Sequence, residues 1–134
     1  MRKKEPNLAT DLRVKRVYDA AAPDDGARIL VDRLWPRGLN KTSAALTFWH
    51  KDIAPSTGLR KWFAHDPTRW TEFRKRYRME LHSNTQAVDR LGDYLKDGPV
   101  TLLYAAHDTT HNHALVLADY LRDHIESRNG RHSA

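Results

Sequence analysis

Apolar and polar positions alternate near the start of the chain, and one continuous apolar run lies near its end; both patterns predict β-strands. Residues 12–18 alternate apolar with mostly basic side chains, which is typical of a half-buried strand. Further strands are predicted over residues 27–32 and, as a shorter segment, over residues 48–53. Residues 99–105 form the most continuous apolar run, which indicates a buried strand.

Apolar residues recur at helical spacing through the middle of the chain and at its end. Helices are predicted over residues 55–64, 66–82, 84–97 and 110–125, with a helical turn over residues 42–46. In the second of these, Asp66 is a suitable N-cap and Pro67 a suitable first residue. Ser83 is expected to cap the next helix, and Thr109 or Thr110 the last.

Strands at both ends of the chain enclose this helical middle. The order predicts an α/β fold: a small, mostly parallel sheet layered with helices in a Rossmann-like three-layer arrangement. A chain of 134 residues fits one domain, here expected over residues 12–125. The polar ends, residues 1–11 and 126–134, are expected to be flexible tails.

Composition narrows the classes of function. The formal net charge of +6 favours anionic partners such as nucleotides, phosphorylated metabolites or nucleic acid. The chain has no cysteine, which excludes disulfides and thiol chemistry and is compatible with the cytoplasm. No apolar run approaches the roughly 20 residues that a transmembrane helix needs, so no membrane association is expected.

The densest group of polar residues follows the second predicted strand, over residues 32–38. Asp32, Arg33 and Arg37 surround Trp35 within one short loop. Arginine binds carboxylates and phosphates through two parallel hydrogen bonds, so the loop favours an anion site in which Trp35 forms an apolar wall. An Asp–Arg salt bridge that only fixes the loop explains the same residues equally well.

A second polar group follows the last strand, where the final helix is expected to begin. A strand-to-helix turn at the carboxyl end of a sheet is a common ligand site, and a helix N-terminus favours anions. Here Thr110 can donate a hydroxyl, while Asn112 and His113 can orient a ligand or transfer a proton. His107, His111 and His113 also raise the alternative of a metal site, but their spacing supports it poorly because His113 points away from His111 on a helix.

Two further basic segments lie in the helical middle. Arg60 lies one turn inside the helix that Ser56 or Thr57 begins, where ordinary capping with an exposed arginine is the simpler interpretation. The helix over residues 67–82 carries a basic flank, which is typical of a solvated face and otherwise of a nucleic-acid-binding surface.

These motifs together resemble a known family. Residues 31–38 (VDRLWPRG), 55–61 (PSTGLRK), 102–106 (LLYAA) and 112–117 (NHALVL) are similar to the bacterial DUF488 family, near its YeaO-like branch. The resemblance covers roughly residues 12–124. It implies a compact α/β domain in a cytosolic bacterial protein, but no substrate or reaction, since the family is a domain of unknown function.

The resemblance also ranks the candidate residues. The family-like polar positions are Asp32, Arg33, Arg37, Arg60, Asn112 and His113. The YeaO-like pattern tends to have Lys at position 107 and a Gln-like residue at position 111, which weakens the metal interpretation.

The leading hypothesis is therefore a pocket that binds a phosphate- or nucleotide-like small molecule. Arg33, Arg37 and Arg60 would hold the anionic group, and His113 with Asp32 would serve any acid–base chemistry. Whether the protein is an enzyme or a binding protein stays open, as does its oligomeric state, and no cofactor is predicted. The alternatives are a nucleic-acid-binding module and a histidine-based metal hydrolase.

Overall fold

The computed structural model describes the backbone of residues 11–130 and the side chains of residues 11–127. The predicted N-terminal tail and the last four residues lie almost wholly outside this range. The strands are β1 (Leu12–Arg16), β2 (Ala27–Leu30), β3 (Phe48–Trp49) and β4 (Val100–Tyr104). The α-helices are α1 (Lys41–Ala44), α2 (Thr57–Phe63), α3 (Trp70–His82), α4 (Thr85–Asp97) and α5 (His113–Gly130). Short 3-10 turns lie at Pro23–Asp25, Lys51–Ile53 and Pro67–Arg69.

The four strands form one parallel sheet in the order β1-β4-β2-β3. Val100 of β4 lies opposite Leu12 on one side and Ala27 on the other, so β4 is a central strand. Every residue of β4 is buried, as its continuous apolar run predicts. The predicted α/β class and parallel sheet are confirmed.

The sheet is covered on both faces. One face packs against the larger helices, and this core contains Ile29, Leu102, Phe73, Leu91 and Leu117. The other face is covered by the segment that includes α1, whose half-buried Trp35, Leu39, Leu46 and Trp49 pack on Val17, Leu30 and Leu103. Helices, sheet and this covering segment make the predicted three layers.

A buried polar cluster, the amino-end cluster, lies where β2 and β4 begin. It consists of Asp25, Arg28, Lys15 and Thr101. Arg28 Nη1 donates to Asp25 at 2.6 Å, and its Nε and Nη2 donate to the Ala44 carbonyl. Lys15 Nζ lies 3.1 Å from the same carboxylate, and Thr101 donates to the Asp25 carbonyl at 2.8 Å.

The carboxylate of this cluster is held in its charged form. Burial by itself would raise the pKa of Asp25, but hydrogen bonds from the Ala22 amide, Lys15 and Arg28 outweigh it and lower the pKa from 3.8 to about 2. The Asp25–Arg28 pair was not predicted from the sequence, because an arginine inside a strand carries no motif.

Several element boundaries differ from the predictions. The strand predicted over residues 48–53 pairs only at Phe48 and Trp49, because its partner β2 ends at Leu30 and the chain then turns through Lys51–Ile53. The prediction that Ser83 caps α4 is wrong: its amide instead bonds to the Met79 and Glu80 carbonyls and ends α3.

The last helix also begins later than predicted. Thr109 and Thr110 do not cap α5; Asn112 does, because its Oδ1 accepts the Leu115 amide at 3.1 Å. The helix continues to Gly130, beyond the predicted end at residue 125. By contrast, Ser56 caps α2 through the Leu59 amide, and Asp66 accepts the Thr68 amide, as predicted.

Candidate functional site

A cavity of about 310 Å³ lies beyond the carboxyl ends of β2 and β4. Its wall is strongly cationic or ionisable, with Arg33, Arg37, Arg60, His65, His111 and His113. Asp32 is its one carboxylate among the described residues. Parallel α/β sheets usually bind ligands at the carboxyl ends of their strands, because the loops after neighbouring strands converge there.

Arg33 is fixed in the cavity wall. Its Nε donates to the Pro55 carbonyl at 3.2 Å and its Nη2 to the Ala54 carbonyl at 3.1 Å. A guanidinium has five N–H groups, and these two bonds leave Nη1 and the second Nη2 hydrogen unengaged by the described residues. Two backbone anchors therefore hold the charge in place while donors remain for a ligand.

Arg37 and Arg60 are exposed, and within residues 11–127 their side chains form no hydrogen bond or ion pair. Their backbones are well anchored. The Tyr18 hydroxyl donates to the Arg37 carbonyl at 2.7 Å, and Arg60 lies in the last turn of the short helix α2, which Ser56 caps. Ser56 is itself held by Glu80 through its amide and its hydroxyl. Both guanidiniums thus border the cavity without an internal partner.

The structural salt bridge that sequence analysis left open does not form. No ion pair links Asp32 to Arg33 or Arg37 in the described part of the chain; the ionisable side chain next to Asp32 Oδ1 is His113, whose Nε2 lies 3.1 Å away. The other carboxylate oxygen, Oδ2, accepts the Ala105 amide at 3.2 Å.

His113 has a defined ring orientation. Its Nε2 lies 3.0 Å from the Val31 carbonyl and 3.1 Å from Asp32 Oδ1. Because a carbonyl only accepts hydrogen bonds, Nε2 carries a proton, and this N–H donates a hydrogen bond to the Val31 carbonyl. Asp32 Oδ1 consequently has no hydrogen-bond donor in the described structure, although it is buried.

The turn before α5 is organised by Asp108, which sequence analysis did not select. Its Oδ1 accepts the amides of Thr110 and His111, and its Oδ2 lies 3.0 Å from His111 Nδ1. The Thr110 amide is the largest cause of a pKa that falls from 3.8 to about 2. An Asp followed closely by Thr residues is a turn-forming pattern, and that signal was available in the sequence.

Two predicted ligand-binding residues lie outside the cavity wall. Trp35 faces the opposite side of the sheet, where its Nε1 donates to the Leu39 carbonyl and its ring packs edge-on against Trp49 at 5.4 Å. The Thr110 side chain is exposed and bonds to Asp108. Asn112 does border the cavity, yet its Oδ1 caps α5 and its Nδ2 donates to the Asp108 carbonyl.

The histidines do not form a metal centre in the part of the chain that the structure describes. No group of three His, Asp or Glu side chains there is arranged to hold an ion. His107 is exposed, whereas His111 is held by Asp108 and His113 by Val31. Nor is any described helix long and apolar enough to cross a membrane.

Two bacterial proteins are similar in sequence to this chain over most of its length. The uncharacterized protein YeaO of Escherichia coli K12 is 54% identical over 112 residues, which is 84% of this chain and 97% of the relative. The uncharacterized protein Rv3073c of Mycobacterium tuberculosis is 44% identical over 112 residues, or 84% of this chain and 94% of the relative. No solved structure matches the chain significantly.

The family comparison covers nearly all of the domain. The sequence model of the family described as "Inactive DUF488-N3 subclade" matches residues 11–134. This span contains β1 to β4, the five helices and every residue of the cavity wall. The chain therefore belongs to the inactive DUF488-N3 subclade of the DUF488 family.

Proposed function

We propose that the protein is a cytoplasmic binding protein for a small anionic molecule, whose phosphate-like group occupies the cavity at the carboxyl end of the sheet. The observation that carries this proposal is the charge of the wall. Three arginines face one carboxylate, and two of these arginines have no partner among residues 11–127. Holding like charges together costs free energy unless an anion offsets it.

The backbone favours the same ligand class. The cavity lies against the start of α5, an 18-residue helix, where the positive end of the helix dipole favours an anion. Arg33 is already oriented by two carbonyl bonds, so little conformational entropy is lost when it binds.

Binding is favoured over catalysis. The subclade to which the chain belongs is described as inactive. The wall contains no serine, threonine or cysteine nucleophile among its described residues, and the Nε2 of His113 is occupied by the Val31 carbonyl. Asp32 and His113 are accordingly proposed to orient a ligand.

The basic flank of α3 is the weaker candidate for a nucleic-acid site. Arg69, in the turn before α3, is paired with Asp66, and Arg76 and Arg78 of α3 are paired with Glu72 and Asp123. The aromatic residues of this helix pack into the core and are not available for base stacking.

Isothermal titration calorimetry, which measures the affinity for inorganic phosphate and adenosine 5′-monophosphate, tests the proposal. Removing a charge-assisted hydrogen bond costs about 1.5–3 kcal/mol, so we expect Arg37→Gln and Arg60→Gln each to weaken binding by about 10- to 100-fold. Arg74→Gln is the matched control, because Arg74 is an exposed arginine of α3 outside the cavity wall.

The control should bind both anions within about twofold of the wild type. Absence of binding to the wild-type protein, or an equal loss in Arg74→Gln, would contradict the proposed site.

A further inference from the structure

We propose that the ligand is a phosphomonoester whose organic part carries a hydroxyl or amino donor, as in a phosphorylated sugar or a nucleotide, and that Asp32 Oδ1 accepts that donor. This inference rests on the anion site proposed above and adds the chemistry of the rest of the ligand. It assigns the arginines to the phosphate and the carboxylate to a neighbouring group.

The size of the cavity calls for more than a phosphate. Ligand pockets usually fall between about 300 and 1,000 Å³, and one water molecule takes up about 30 Å³. A phosphate group has only five heavy atoms and fills a minor part of the 310 Å³ cavity. The remaining volume fits a sugar-sized organic group.

The unsatisfied carboxylate oxygen indicates what that group presents. Buried polar atoms in folded proteins nearly always have a hydrogen-bond partner. Asp32 Oδ1 is buried beside the cavity without a hydrogen-bond donor: His113 Nε2 lies 3.1 Å away but directs its N–H to the Val31 carbonyl. Its Oδ2 is held by the Ala105 amide, which fixes the side chain and leaves Oδ1 available to accept.

The negative charge of the Asp32 carboxylate makes Oδ1 selective for hydrogen-bond donors. A carboxylate repels a phosphate oxygen and accepts only from N–H or O–H groups. A phosphate placed at Asp32 is therefore disfavoured, whereas a hydroxyl or amine there satisfies the orphaned acceptor. Asp32 would thus fix which end of the ligand faces the arginines.

The apolar part of the wall fits the carbon skeleton of such a ligand. Phe63 and Phe73 stack at 4.3 Å and both border the cavity. Leu34, also in the wall, has 60% of its surface exposed. An organic group in the cavity would remove part of the Leu34 surface from water, while Phe63 and Phe73, 6% and 2% exposed, support the wall from behind.

Four probes test the inference by titration calorimetry: inorganic phosphate, butyl phosphate, ribose 5-phosphate and adenosine 5′-monophosphate. Butyl phosphate has an organic part without donors. A hydrogen bond to a charged group is worth about tenfold or more in affinity, so the wild type should bind one or both ribose phosphates at least tenfold more tightly than butyl phosphate. The two ribose probes distinguish a sugar phosphate from a nucleotide.

Asp32→Asn sharpens the result, because its amide can keep the Ala105 contact while placing an N–H₂ donor where Oδ1 stood. We expect this variant to lose the preference for ribose phosphates while still binding inorganic phosphate. Equal affinity of the wild type for butyl phosphate and both ribose phosphates would overturn this inference and leave the anion site intact. Failure of every probe, inorganic phosphate included, would overturn both, and the wild-type comparison decides even if Asp32→Asn does not fold.

Discussion

The two ends of the sheet both hold arginine and aspartate, but they use these residues differently. At the amino end, Arg28 and Asp25 have 4% and 2% of their side chains exposed, and each is satisfied by protein groups. At the carboxyl end, Arg37 and Arg60 are exposed, and Asp32 keeps one buried oxygen without a donor. A polar network whose groups are all satisfied by the protein stabilises the fold. A network with unsatisfied groups is what the proposed ligand site requires.

The same contrast explains why composition alone does not identify a site. Both ends place an aspartate three to five residues from an arginine along the chain. Only the three-dimensional partners distinguish them: Arg28 reaches Asp25 and the Ala44 carbonyl, while Arg37 reaches no described acceptor.

The largest expected effect is on stability at the amino end. Removing one member of a buried ion pair costs about 3–5 kcal/mol, so Arg28→Met should lower the free energy of unfolding by that amount, measured by urea denaturation. Arg37→Met, the same substitution at the exposed end, should change it by less than about 0.5 kcal/mol. Equal losses in the two variants would remove the distinction between the ends.

Glycines near the two ends should also respond differently. Gly26 (φ +66°) precedes β2, and an added Cβ would lie 2.1 Å from the Pro99 carbonyl oxygen. Gly26→Ala should therefore cost more than the about 1–3 kcal/mol of left-handed backbone strain alone. Gly38 (φ +72°) has open space around it, so Gly38→Ala should show the strain without the clash. Thermal denaturation of both variants measures the difference, and a smaller loss for Gly26→Ala would contradict this packing.

The smallest expected effect concerns Trp35, which sequence analysis placed in the ligand site. Trp35→Phe removes the hydrogen bond to the Leu39 carbonyl and should cost about 0.5–1.5 kcal/mol of stability. Phosphate affinity should stay within about twofold of the wild type, because the ring packs on the opposite face of the sheet. A tenfold loss of affinity in titration calorimetry would place Trp35 back in the site.

The sequence predicted the elements better than their ends. Apolar periodicity located the helices and the buried strand β4, because burial of apolar surface dominates folding. The predictions of helix caps failed where several short polar residues lie together: Ser83 beside Asn84, and Thr110 close to Asn112. Each of these residues can cap a helix, and contacts made by the folded chain decide between them.

The site was predictable as a set of converging segments. Parallel strands bring their carboxyl ends together, and Arg33, Arg37, Arg60 and His113 line one cavity. Their roles in binding stay predictions. Trp35 was expected beside the arginines but packs on the opposite face of the sheet, and a loop has no periodicity from which to infer which face a side chain covers. Asp108 went unselected although an Asp followed by Thr residues marks a turn; which amides its carboxylate accepts is decided only in the folded chain.

The most direct test is a phosphate titration followed by two-dimensional ¹⁵N–¹H NMR, which reads both ends of the sheet in one experiment. We expect saturable shifts of amides around the cavity, at Leu34, Arg60 and His113, with those of Asp25, Arg28 and Thr101 unchanged. Shifts centred on the amino-end cluster, or no saturable shift anywhere, would contradict the proposed site.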